Sequence, residues 1–235
     1  PRYETFDFHV MKTAHFEVHY YPEEEVAVRD AARMLERWYT RLSKLFNHTF
    51  AERKPVVLYA DQGDFQQTNT TSSAIGEGTG GFTEPLKDRV VLPLTGSYAE
   101  NDHVIGHELV HLFQFDIAQR FATRGQNGLG YLPLWFIEGM AEYLSLGRND
   151  PNTAMWMRDV VLRNKIPTIS DISSDQRYFP YRFGQALWAY IAGTWGDDVV
   201  PKLYRSALRG GLDNALRVTL SRDDDKLSAE WATAL

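Results

Sequence analysis

Residues 97–116 read SYAENDHVIGHELVHLFQFD, and the fold turns on how they are read. Ser97 and Glu100 stand three apart, the spacing of a capping box that opens a helix. Val104, Ile105, Leu112 and Phe113 then leave little room for a solvent face. The spacing predicts a buried helix over about 98–122. Upstream, HFEVHYY (15–21) places Phe16, Val18 and Tyr20 on one face, as in a strand. Pro22 followed by three glutamates opens an amphipathic helix over about 22–47, since proline suits a first turn and acids its positive end. PVVLYA (55–60) reads as a strand, and GFTEP with DRVVLPL (88–94) as two more, with Pro85 and Asp88 marking the turn. The Gly/Thr/Ser-rich run 68–81 is expected to be a mobile loop. Downstream, helices are expected over about 133–146, 151–164, 180–195 and 197–209, then a short C-terminal group, with Gly147 and Gly196 as helix C-caps. Strands precede residue 100 and helices dominate the rest, an α+β pattern.

The chain has 235 residues, 43% hydrophobic and 13% aromatic, enough for one core or for two lobes sharing a cleft. A single domain is expected, with an N-terminal α/β lobe over about 1–125 and a helical lobe over about 126–235. The net charge of −6, with no basic stripe, argues against nucleic-acid binding. No apolar run reaches transmembrane length. The absence of cysteine excludes disulfides, thiol nucleophiles and thiolate metal sites. The chain begins at Pro1, which suggests a processed or excised piece.

Within the buried helix, His107-Glu108-Leu109-Val110-His111 is an H-E-x-x-H motif. Residues four apart on a helix share a face, so both imidazoles can reach one ion while Glu108 handles its water. Two histidines and a glutamate on a buried helix are costly without a metal or partners. A catalytic zinc site needs a third protein ligand. The metzincin pattern would place histidine six residues after His111 and glycine three after it; Ile117 and Gln114 stand there instead. Trp135-Phe136-Ile137-Glu138-Gly139-Met140-Ala141-Glu142-Tyr143 supplies carboxylates on a second helix. Small Gly139 and Ala141 would let that helix pack closely on the H-E-x-x-H helix. His103, four residues before His107, is placed near the helix start, outside the ligand set.

H-E-x-x-H followed by W-F-x-E-G-x-A-E-Y resembles the gluzincins, above all the aminopeptidase N-like family. The resemblance implies a zincin-like fold and one zinc ion held by His107, His111 and Glu138. It also implies Glu108 as general base and Glu142 as the carboxylate that orients a zinc-bound histidine. Pro180-Tyr181-Arg182-Phe183-Gly184 is similar to the family's P-Y-x-x-G segment, which would make Tyr181 a hydrogen-bond donor to the tetrahedral intermediate. The 26 residues between His111 and Glu138 exceed the family's spacing, the excess falling in 123–131, an expected loop. The G-x-M-E-N strand that grips a substrate amino terminus is absent; Gly80-Gly81-Phe82-Thr83-Glu84 is the nearest sequence. The arrangement as a whole is similar to the peptidase MA-like domains of extracytoplasmic proteins, modules often followed by a β-propeller. The expectation is a zinc metallopeptidase, an endopeptidase acting on peptide or protein. A zinc-retaining binding module, a structural zinc site and an aminopeptidase are the alternatives.

Overall fold

The computed structural model describes residues 5–68, 75–76, 79–121, 129 and 131–235. It is α+β, and the chain divides into two compact units, Pro1–Asp116 and Ile117–Leu235.

The first unit is built on a five-stranded mixed sheet. Strand β1 (His9–Lys12) pairs antiparallel with β2 (Phe16–Tyr20). A single turn of 3-10 helix at Pro22–Glu24 leads into α1 (Glu25–Phe46), then β3 (Lys54–Tyr59), parallel to β2. A crossover helix is what a parallel pair requires. After the four-residue α2 (Gln62–Phe65), β4 (Phe82–Glu84) and β5 (Arg89–Pro93) form an antiparallel pair. Because β5 also runs parallel to β3, the order is β1-β2-β3-β5-β4, and β4 becomes an edge. The turn joining β4 to β5 uses Asp88 at φ 48°, a conformation that aspartate tolerates.

Helix α3 (Tyr98–Phe121) carries the H-E-x-x-H sequence, and the boundary between the units falls within it. Every residue from 105 to 114 is buried, as expected for a helix without a polar face. Gly106 fixes its approach to α1: a Cβ there would lie 2.6 Å from the Trp38 ring. Trp38 Nε1 in turn donates to the Asp102 carbonyl and carboxylate at 3.0 and 2.9 Å. Phe113 packs on Tyr39, Phe46 and Phe50. At the far end of the unit, Asp116 accepts from Lys54 at 2.6 Å and stands 2.6 Å from His48 Nε2, all three residues buried.

The second unit is helical: α4 (Leu134–Leu146), α5 (Pro151–Leu162), α6 (Ile169–Ser174), α7 (Pro180–Trp195), α8 (Val199–Gly210), α9 (Leu212–Leu220) and α10 (Asp224–Ala234). The closest approach is between α4 and α7. A Cβ on Gly139 would lie 2.4 Å from the Gly184 backbone, and one on Gly184 would lie 2.3 Å from the Trp135 carbonyl oxygen. Trp188 Nε1 donates to the Phe136 carbonyl at 2.9 Å beside this crossing.

Strand and helix boundaries follow the sequence reading closely, with three corrections. The short β1, α2 and α6 were not anticipated. Helix α5 stops at Leu162, where the chain turns toward Asn164 at φ 53°. The capping box is half made: the Glu100 amide donates to Ser97 Oγ at 3.3 Å, but the Ser97 amide goes to Thr95 Oγ1. The loops expected over 68–81 and 123–131 lie largely outside the described residues. No described helix is long and apolar enough to cross a membrane.

Candidate metal centre

One turn of α3 separates His107 from His111, and the helix presents both rings on one face. Their Nε2 atoms are 3.1 Å apart and both residues are buried. Gln114, fully buried, places its amide oxygen Oε1 2.8 Å from His111 Nδ1. A carbonyl oxygen can only accept, so Nδ1 carries the proton and donates. In the neutral ring the lone pair is then on Nε2, the atom turned toward His107. An imidazole with one nitrogen protonated against a fixed acceptor and the other bearing its lone pair is prepared for a cation.

Glu108 follows His107 on α3 and is 6% exposed. Its carboxylate is held by β4: Thr83 Oγ1 lies 2.7 Å from Glu108 Oε2 and 3.0 Å from the Glu108 carbonyl oxygen. Gly81 makes this closeness possible. A Cβ there would stand 3.2 Å from Glu108 Cγ, 3.3 Å from Oε1 and 3.1 Å from Leu92 Cβ. The edge strand therefore runs directly past the carboxylate. One residue on, Glu84 is tied to Arg89 across the hairpin at 2.6 Å.

In the second unit, Glu138 and Glu142 lie one turn apart on α4, flanking Gly139 and the crossing with α7. Glu138 is partly exposed, whereas Glu142 is 4% exposed. Arg182 Nη1 donates to Glu142 Oε2 at 3.0 Å and to Asp150 Oδ1 at 3.3 Å. Tyr181, in the first turn of α7, stacks on Phe179 with ring centroids 5.0 Å apart.

Within the first unit, then, the structure groups His107, His111 and Gln114, and sets Glu108 against Thr83. Within the second it groups Glu142 with Arg182, and Tyr181 with Phe179. Gln114, Thr83 and Arg182 were not among the residues singled out from sequence. Gln114 was visible as a polar residue in an otherwise apolar stretch, three positions after His111. Thr83 and Arg182 carried no such signal, because their partners lie 25 and 40 residues away. No protein-family model and no curated protein matches this chain.

Proposed function

We propose that this protein is a zinc-dependent metallopeptidase that cuts within extended polypeptides. The observation that carries the reading is the pair of facing imidazole nitrogens on α3, one with its tautomer set by Gln114, beside a buried carboxylate held by Thr83.

The ion is assigned to His107 and His111, with Glu138 as the third donor that the likeness to the gluzincins implies. With the proton on His111 Nδ1, the Nε2 lone pair faces His107, as a shared cation would require. Two imidazoles and one carboxylate form a donor set suited to catalytic zinc. Zinc held there supplies a Lewis acid and lowers the pKa of water near it. Glu142 orients a zinc-bound histidine.

Glu108 takes a proton from the attacking water and returns it to the leaving amine. Thr83 keeps one Glu108 oxygen occupied and so fixes which oxygen faces the water. The Tyr181 hydroxyl donates to the oxygen on which negative charge develops. Strand β4 offers its main chain to a substrate strand, an interaction that needs no free terminus. Exopeptidase action on amino termini would call for an unpaired carboxylate, and Glu84, the nearest candidate, is already neutralised by Arg89.

Elemental analysis of protein purified without added metal should find one zinc per chain. His111→Ala should lose it and His103→Ala should keep it; the reverse result would move the ion to His103 and His107. Glu108→Gln should retain zinc while hydrolysis falls by roughly 10²–10⁴-fold. Near-native turnover in that variant would remove Glu108 as the base. Matched peptides with free and acetylated amino termini, mapped by mass spectrometry, should be cut alike at internal bonds.

A further inference from the structure

The crossing of α4 and α7 does more than pack two helices. Gly139 and Gly184 meet with no room for a Cβ on either. Three residues beyond Gly139 stands Glu142, and two residues before Gly184 stands Arg182, so the close approach brings a buried carboxylate to a guanidinium. The same nitrogen is anchored a second time. Its Nη1 also reaches Asp150 Oδ1, and that same oxygen caps α5 by accepting from the Thr153 amide at 2.7 Å. The three side chains are 5%, 21% and 9% exposed for Glu142, Arg182 and Asp150. A carboxylate so far from water stays charged only with a cation or donors at hand. A guanidinium nitrogen shared by two fixed carboxylates has little freedom left to lose in holding Glu142.

We infer that Arg182 is a positioning residue for the metal centre, fixing the Glu142 carboxylate in one orientation for its work beside the histidine that would hold zinc. The inference rests on the proposed function. It adds a chain running Asp150–Arg182–Glu142, from the N-cap of α5 to the metal's surroundings. Arg182 touches neither substrate nor ion in this account; it acts through Glu142 alone.

The experiment is a chelator-competition titration of zinc at a temperature where every variant is folded by circular dichroism. It uses wild type, Arg182→Met, Arg182→Lys, Glu142→Gln and the Arg182→Met/Glu142→Gln double variant. Loss of a residue that orients a metal ligand weakens affinity by roughly 10–100-fold. Arg182→Met and Glu142→Gln should each fall in that range, and the double variant should be no weaker than Glu142→Gln. Arg182→Lys, which keeps the charge but not the planar fork, should recover most of the loss. A wild-type protein that binds no zinc would overturn the proposed function itself. Zinc-binding wild type with full affinity in Arg182→Met would overturn the inference alone, leaving Arg182 as a helix clamp. Losses that add in the double variant would overturn it too. If Arg182→Met fails to fold, Arg182→Gln takes its place: a loss of roughly 10–100-fold that Arg182→Lys largely recovers supports the inference, and full affinity in Arg182→Gln overturns it.

Discussion

At the scale of single residues, Gln114 is the least expected participant. Its amide oxygen decides which nitrogen of His111 is protonated, and a ring held in the wrong tautomer would turn an N–H toward the ion. Gln114→Ala should therefore weaken zinc binding by about 10–100-fold, read by competition with a chromophoric chelator. Gln114→Glu, which also accepts from Nδ1, should retain most of the affinity. Equal affinity in Gln114→Ala and wild type would show that the contact only fills space. The candidate ligands were legible in the sequence because their chemistry is local: two histidines four apart on a helix need no tertiary information. Gln114, Thr83 and Arg182 depend on which atom faces which neighbour, and that is set only once the elements have packed.

At the scale of elements, α3 is tied to β3 and to the end of α1 by the buried group of Asp116, Lys54 and His48. Burial works to raise the Asp116 carboxyl, but hydrogen bonds from Lys54 and His48 outweigh it, and its pKa lies below the ordinary value. Burial likewise works to lower the Lys54 ammonium, and bonds to Asp116 and Asp88 more than offset it, leaving its pKa raised. The sign follows for each. Asp116 stabilises the fold fully above its unfolded pKa and loses that contribution as pH falls through its lower folded one. Lys54 contributes fully below its unfolded pKa and loses that as pH rises through its raised one. Denaturant unfolding followed by circular dichroism should thus weaken from about pH 5 downward, and Asp116→Asn should flatten that part of the profile. An unchanged acid limb in the variant would mean that other carboxylates set it. The crossing of α4 and α7 makes a steric prediction. Gly184→Ala would drive a methyl into the Trp135 carbonyl, so it should destabilise by about 1–3 kcal/mol or more, measured by chemical denaturation. Loss below about 0.5 kcal/mol would show that the helices can separate at little cost. The long elements were legible because periodicity over many residues is hard to mimic. The four-residue α2, the six-residue α6 and β1, exposed along most of its length, were not, since each is held by neighbours more than by its own pattern.

At the scale of the whole molecule, the described residues divide as the sequence pattern indicated, with every described strand before residue 100 and helices dominating the rest. That layout gives a sheet with two outer strands, β1 of four residues and β4 of three. Long, flat, apolar outer strands invite a second chain to add on, the route to domain swapping and fibrils. Here both are too short to template much growth, and both carry charge: Lys12 pairs with Glu17, and Glu84 with Arg89. With a net charge of −6, neighbouring molecules also repel one another. Incubated at neutral pH below its unfolding temperature, the protein should stay free of thioflavin-positive aggregate. Seeding of such aggregate by the native state would show that an edge is more open than its length suggests. The same brevity sets a limit on recognition. On the proposed function, a three-residue strand would lend a visiting peptide only a few backbone hydrogen bonds, so a substrate would be gripped weakly and released quickly, in the manner of a processing tool rather than a trap.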